Sequence, residues 1–299
     1  MSSLIQPAPI GTVRRQFLKS QSTFDSHAAV FEAVSARLLQ RLELLAIQPQ
    51  RVLDLGCRSG YQLATLGQRY PDATIVGADP APGPLKRLPG SWPRWLQRTR
   101  APADCQIACD PHQLPFANGS FDLVISNLLL PWCEAPHRVF EEAARVLAPG
   151  GAFMFTSAGP DTLMEYRRAW ASIDSYLHSF GLLDMHDLGD SMMASGFAAP
   201  VLDRDNLTID YPDVHALETE LRNLGAVNIA GGRRRGLLSP AAQTMLNSSF
   251  VAGERLAVTL ELVQGHGWKG ELVSAVNSSG DITVSVDTLK GSWRQKAGR

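Results

Sequence analysis

Short apolar runs alternate with amphipathic, helix-length segments between residues 51 and 157. The runs read RVLDLG, ATIVGAD, CQIACD, FDLVISN and AFMFTS, and most of their apolar positions are consecutive rather than alternating with polar ones. Consecutive apolar positions are typical of strands covered on both faces, as in parallel sheets. Residues 60–69 and 135–147 have the apolar spacing of helices that pack through one face. The pattern predicts an α/β fold with a doubly wound sheet.

After Ser157 the regular alternation of strand and helix patterns ends. Two further apolar runs, NLTIDY and LAVTLELVQGHGW, bring the predicted strands to seven in a mostly parallel sheet. Helical patterns cover 159–180 and 186–197 before the first run, and 212–225 and 239–250 before the second. We expect helical lid insertions, at about 160–182 and 212–250, over the open edge of the sheet.

The two ends of the chain differ from this central region. Residues 13–45 have apolar positions at a helical period and predict two helices, which form part of an N-terminal helical cap over 1–45. The main domain is then expected to span 46–268. The remainder, 269–299, contains the turn sequence NSSGD and predicts a hairpin or a tail.

Composition narrows the class of protein. The net charge is −1 and the sequence pI is about 6.7, so a general binder of nucleic acid or anionic membranes is not indicated. No apolar run approaches the ~20 residues of a membrane helix, and the first residues do not read as a secretory signal. The four cysteines form no C-x-x-C pair and are expected to be reduced packing residues. We expect a cytoplasmic protein without a metal site.

The stretch RVLDLGCRSGYQLATLGQRYPDATIVGADP predicts a ligand site at the carboxyl ends of the first two strands. Gly56 and Gly60 allow a tight turn, and Asp79 ends the second strand, where a carboxylate can accept hydrogen bonds from two ribose hydroxyls. The G-x-G-x-x-G spacing of dinucleotide enzymes is absent. With Asp54, the spacing D-x-G-x-x-x-G is instead the pattern of S-adenosylmethionine methyltransferases.

Two later residues agree with this interpretation. Asp110, in CDPHQLPF, follows the third strand, where an acid commonly reaches the adenine amine. Asn127 ends the fourth strand. The order Asp54, Gly60, Asp79, Asp110, Asn127 therefore favours S-adenosylmethionine as the cofactor.

Arg58 departs from this pattern, because methyltransferases usually carry glycine in the middle of GCRSG. If its φ is positive, strain of order 1–3 kcal/mol weakens cofactor binding. If its φ is negative, the side chain points outwards. The sequence leaves both open, together with a degenerate, non-catalytic site.

Longer motifs are narrower than the cofactor pattern: VRRQF…FDSHAAVF, LPFANGSFDLVISNLLLPWC, GPDTLMEYR, HDLGDSMMASGF, LGAVN and LELVQGHGW. From about residue 13 to 268 they resemble the malonyl-acyl carrier protein O-methyltransferases of biotin synthesis. They equally resemble a group that includes a respiratory complex I assembly factor, whose proposed activity is protein arginine hydroxylation. The motifs do not separate the two, and a non-catalytic assembly role is a third alternative.

The first resemblance implies methylation of the free carboxylate of a malonyl thioester, with helices of the cap, including Phe24, folded over the cofactor. Such a carboxylate needs a donor to hold it, and Tyr166 or Arg167 of the lid is the candidate. Adjacent helical positions point about 100° apart, so we expect only one to face inwards. The acidic acyl carrier protein is expected to dock on Arg233, Arg234 and Arg235.

Overall fold

A computed structural model of the chain describes residues 9–45, 47–83, 105–179, 181–236, 238–250 and 255–270. The hairpin or tail predicted for 269–299 lies outside this part of the chain, apart from its first two residues. The strands are β1 (Arg51–Leu55), β2 (Thr74–Asp79), β3 (Cys105–Ala108), β4 (Phe121–Asn127), β5 (Leu147–Ala158), β6 (Phe197–Tyr211) and β7 (Leu256–Lys269). The helices are α1 (Ile10–Lys19), α2 (Phe24–His27), α3 (Ala29–Arg41), α4 (Leu63–Arg69), α5 (Pro136–Val146), α6 (Met164–Ala171), α7 (Met185–Ala194), α8 (Val214–Leu224) and α9 (Pro240–Ser248).

One seven-stranded sheet has the order β3-β2-β1-β4-β5-β7-β6. The five strands from β3 to β5 are parallel to their neighbours, and β7 runs antiparallel to both β5 and β6. The predicted α/β fold with a mostly parallel, seven-stranded sheet is confirmed. The chain order reverses between β1 and β4, which creates a crevice at the carboxyl ends of these strands.

Successive residues of the central strands point to opposite faces of the sheet, and both faces are covered. Leu53, Val124 and Phe153 belong to a buried cluster that includes residues of α5 and α7. Their neighbours Val52 and Leu123 belong to a second cluster with residues of α3 and α4. Apolar positions are therefore consecutive along these strands because helices cover both sides.

The lid, meaning α6, α8 and α9 with their connecting segments, packs on the ends of β6 and β7. Tyr166, Leu217 and Leu246 bring these three helices into one buried cluster with the two strands. The helix predicted over 159–180 is wrong in length, because α6 covers only Met164–Ala171. It begins late because Leu163 has a left-handed φ of 55° and the amide of Asp161 donates to Glu261 at 2.6 Å.

Candidate active site

Gly56, Asp79 and Asn127 line a small cavity at the carboxyl ends of β1, β2 and β4. Gly56 has φ 90°, and a Cβ built on it would lie 2.8 Å from the Cβ of Leu129. This position therefore requires glycine, which lets the backbone turn directly under the cavity. The cavity measures about 10 Å³, since Phe17 and Leu224 cover it from above. That volume is at the lower limit for one water molecule.

Two fully buried carboxylates lie at this edge of the sheet. Asp79 accepts one backbone amide on each oxygen, from Ala81 at 2.7 Å and from Arg58 at 3.0 Å. Asp54 accepts from Nε2 of Gln62 at 3.0 Å, and its Oδ2 is buried without a partner among the described residues. Burial and the charge of Asp79 raise the pKa of Asp54 to about 8. Burial also raises the pKa of Asp79, although the charge of Arg58 lowers it in part.

Arg58 has a left-handed φ of 51°, and its side chain does not point outwards. The residue is 6% exposed, and Nη2 donates to the carbonyl of Leu224 at 2.9 Å and to Oγ of Ser20 at 3.2 Å. Its guanidinium carbon lies 3.7 Å from the ring centroid of Phe17 and 4.4 Å from that of Phe24. Burial lowers the pKa of Arg58, and the charge of Asp79 raises it. The positive φ that the sequence left open therefore accompanies a side chain directed into the protein, under the cap.

The other predicted cofactor residues lie around this cavity at different depths. Gly60 has φ 80° in the turn before α4. Asn127 is buried, with Nδ2 donating to Oη of Tyr61 at 2.7 Å and to the carbonyl of Phe31 at 3.0 Å. Phe24 is buried beside Phe31 and does not line the cavity. Asp110 is partly exposed, accepts from the amide and Nδ1 of His112, and also lies outside the cavity wall.

The hydrogen-bond acceptors at this site match the needs of S-adenosylmethionine, whereas the free volume of the cavity is too small for it. Asp79 uses one hydrogen bond per oxygen and keeps acceptor capacity for two ribose hydroxyls. Asp54 does not line this cavity, and its raised pKa keeps the carboxyl protonated at neutral pH, so Asp79 is the charged acceptor of the site. Phe17, Arg58 and Leu224 occupy the space above these acids. The residues thus fit the cofactor on condition that α1 and the end of α8 move apart.

A large cavity of about 410 Å³ adjoins the small one under the lid. The two share four wall residues, Phe31, Leu128, Trp132 and Leu224. Most of the large cavity's wall is apolar, and its carboxylate and guanidinium groups come from α8, which contributes Glu218, Glu220 and Arg222. The shared wall places a space of substrate size next to the small cavity, whose own wall includes Asp79.

The structure distinguishes between the two candidate donors of the lid. Tyr166 lines the large cavity, and its hydroxyl donates to Oε1 of Glu218 at 2.9 Å. Burial and Glu218 raise its pKa, so the phenol stays protonated at neutral pH. Arg167 lies outside the cavity wall and donates to the carbonyl of Pro160. Arg222, which the sequence analysis missed, lines the cavity and has no hydrogen-bond acceptor in the described part of the chain. No signal in the sequence separates Arg222 from a solvated helix residue.

The three arginines of GGRRRG differ in their surroundings. Arg233 donates to the carbonyls of Ala230 and Ile229, and Arg234 pairs with Asp174 at 3.2 Å. Arg235 is exposed. Across the described ranges, no group of three or more His, Cys, Asp or Glu side chains could hold a metal ion. Nor does any helix in them have the length and apolar content to cross a membrane.

The strand order and the paired acids define a methyltransferase of the Rossmann-like class, with S-adenosylmethionine as its methyl donor. A family described as a methyltransferase domain matches residues 53–155. The YcgJ protein from Bacillus subtilis shares the fold with a TM-score of 0.53 at 16% identity, covering 79% of this chain and 99% of that one.

Longer relatives identify the family. A malonyl-[acyl-carrier protein] O-methyltransferase of Halorhodospira halophila is 37% identical over 284 residues, 93% of this chain and 94% of the relative. One from Laribacter hongkongensis is 38% identical over 265 residues, 86% and 88% of the two chains. This chain belongs to the malonyl-[acyl-carrier protein] O-methyltransferase family.

Proposed function

We propose that the protein transfers a methyl group from S-adenosylmethionine to the free carboxylate of a malonyl thioester on acyl carrier protein, as a step in biotin precursor synthesis. The observation that carries this proposal is the wall shared by two cavities, a small one lined by Asp79 and a large one under the lid. We assign residues 1–45 to a cap, 46–268 to the methyltransferase domain with lid insertions at about 160–182 and 212–250, and 269–299 to a C-terminal tail or hairpin.

The chemistry suits a cavity without a dedicated base. When bound, S-adenosylmethionine supplies an electrophilic methyl group on a sulfonium. A malonyl carboxylate, with a reference pKa of ~4, is already ionised at neutral pH, so no residue has to remove a proton. The protein then has to hold the carboxylate in line and exclude water. The apolar walls and the lid meet that requirement.

Tyr166 and Arg222 are our proposed substrate-binding groups. Both line the large cavity, and the charge of Arg222 acts on the Tyr166 phenol. The one hydroxyl proton of Tyr166 is now accepted by Glu218, so the substrate carboxylate has to replace Glu218 as the acceptor of this hydrogen bond. Arg222 supplies the positive charge that a carboxylate needs beside Glu218 and Glu220. We therefore place Arg167, the other candidate, outside the site.

Arg222→Met is expected to raise the KM for malonyl-acyl carrier protein about 10-fold, because a charge-assisted contact to the substrate is lost. The change leaves the affinity for S-adenosylmethionine near that of the wild type. Initial-rate kinetics and calorimetry check both values. Arg168→Met is the matched control, since Arg168 is an exposed arginine of α6 outside the cavity wall. Equal KM values for the two variants would remove Arg222 from the substrate site.

Docking of the acidic carrier protein is proposed at the run 233–235, through the exposed Arg235 above all. Charge complementarity mainly affects association, so Arg235→Glu is expected to raise the KM for malonyl-acyl carrier protein about 5- to 10-fold. The KM for malonyl coenzyme A, which lacks the acidic protein surface, should change less. Arg138→Glu, at an exposed position of α5, is the control. A similar rise for both variants would point to a general charge effect rather than to docking.

The proposed function is tested by incubating purified malonyl-acyl carrier protein with S-adenosylmethionine and the protein. A mass gain of one methyl group, lost when the carboxylate is absent, supports it. Growth rescue of a biotin-requiring strain defective in this methylation is the cellular counterpart. Cofactor binding without methyl transfer would favour the assembly-factor alternative. Absence of binding at millimolar S-adenosylmethionine would favour the non-catalytic one.

A further inference from the structure

Arg58 is a buried cation, and the groups that accept hydrogen bonds from its side chain are neutral. The residue is more than nine-tenths buried, and the acceptors of its Nη2 are a hydroxyl and a backbone carbonyl. Nε and Nη1 have no acceptor among the described residues. No carboxylate there forms an ion pair with this side chain; Asp79 receives only the backbone amide of Arg58.

Such an arrangement is costly unless an anion completes it. Burying a charge away from water is strongly unfavourable without a partner of opposite charge or enough hydrogen bonds. The two aromatic faces and the nearby charge of Asp79 recover part of this cost. Nε and Nη1 keep their hydrogens free, but each parallel donor pair of a guanidinium, Nε/Nη2 or Nη1/Nη2, includes Nη2. A planar anion can therefore accept two parallel hydrogen bonds only when Nη2 leaves Ser20 and Leu224.

The guanidinium of Arg58 lies at the proposed cofactor site. Arg58 lines the small cavity together with Gly56 and Asp79, and its amide is bonded to the Asp79 carboxylate. An anion that Arg58 binds therefore lies within one ligand's length of the acid proposed for the ribose. Within S-adenosylmethionine the α-carboxylate of the methionine end is the anionic group, whereas the sulfonium and the α-ammonium would repel a guanidinium.

We propose that Arg58 binds the α-carboxylate of S-adenosylmethionine, in exchange for its contacts to Ser20 and Leu224. This exchange breaks the hydrogen bonds that tie Arg58 to Ser20 in the cap and to Leu224 at the end of α8, so both segments are released when the cofactor binds. Arg58 is thus a specificity-determining residue for the cofactor, and the arginine that departs from the usual glycine is a ligand group rather than a defect. The proposal rests on the proposed function through the identity of the methyl donor.

The test compares two ligands by calorimetry, S-adenosylmethionine and its decarboxylated analogue, which keeps the adenosyl, sulfonium and amine groups. The wild type is expected to bind the analogue about 10- to 100-fold more weakly. In Arg58→Met the affinity for S-adenosylmethionine falls by a similar factor, and the preference over the analogue disappears. Arg58→Lys retains part of the preference. Arg69→Met is the matched control, because Arg69 also lies over an aromatic ring, Tyr70, yet outside the cavity.

Four results would overturn the proposal. Equal affinity of the wild type for the two ligands would show that Arg58 does not bind the α-carboxylate. This comparison does not depend on the folding of any variant. An equal loss of affinity for both ligands in Arg58→Met would show that Arg58 only holds the cap and the lid together. Tighter binding of S-adenosylmethionine by Arg58→Met would show that the arginine side chain hinders cofactor binding. If the wild type binds neither ligand, the proposed function is refuted as well. If the wild type clearly prefers S-adenosylmethionine over the analogue but transfers no methyl group to malonyl-acyl carrier protein, only the proposed substrate is refuted.

Discussion

Asp79→Asn is expected to weaken binding of S-adenosylmethionine by about 100-fold or more, measured by calorimetry. The change removes the charged acceptor proposed for the ribose hydroxyls. It also introduces an NH₂ group at one of the two oxygens that now accept the amides of Ala81 and Arg58. A donor facing a donor in a fully buried position leaves both unsatisfied, so the loop that carries Arg58 is disturbed too.

Asp122→Asn is the matched control for this prediction. Asp122 likewise accepts two backbone amides, those of Gln50 and Arg51, each at 2.9 Å. It lies near the start of β4, at the edge of the sheet opposite the cofactor site. Its variant should bind the cofactor as the wild type does. If Asp79→Asn also retained wild-type affinity, Asp79 would not hold the ribose and the cofactor would have to bind elsewhere.

Stability is expected to fall as the pH rises from about 4 to about 8, through Asp54. The pKa of this carboxyl is about 8 in the folded protein, where burial and the charge of Asp79 favour the protonated form. In the unfolded chain the pKa is ~3.9. Folding therefore takes up a proton between these values, so the contribution of Asp54 is fully present below pH ~4 and is lost as the pH approaches 8. The loss is on the order of 5 kcal/mol.

Urea unfolding of the wild type and Asp54→Asn between pH 4 and pH 8 measures this contribution. The free energy of unfolding of the wild type should fall relative to that of the variant throughout this range. Asp122→Asn should behave differently, because hydrogen bonds from Arg51 and Gln50 outweigh burial and lower the pKa of Asp122. Its contribution is present above pH ~4 and is lost only as the pH falls below that value. A pH-independent difference between wild type and Asp54→Asn would show that Asp54 is ionised in the folded protein.

The sheet and the region of the cofactor site could be predicted because their signals are local. Consecutive apolar positions indicated strands covered on both faces, and Leu53 and Val52 indeed point to opposite clusters. Asp54 is the penultimate residue of β1 and Asp79 ends β2, and parallel strands bring their carboxyl ends to one edge. The start of α6 was predicted wrongly because it depends on Glu261, about a hundred residues away along the chain.

The sequence by itself determined the order of strands and helices, the class of methyltransferase and the two acids at the strand ends, since each depends on spacing along the chain. The tertiary structure decided what Arg58 does. Its surroundings come from Phe17 in the cap and Leu224 at the end of the lid helix α8, which are remote from it in sequence. It also decided that Tyr166 rather than Arg167 lines the large cavity, and that Arg222 joins it. Long-range packing sets the burial and the partners of a charge, and spacing along a single chain does not record them.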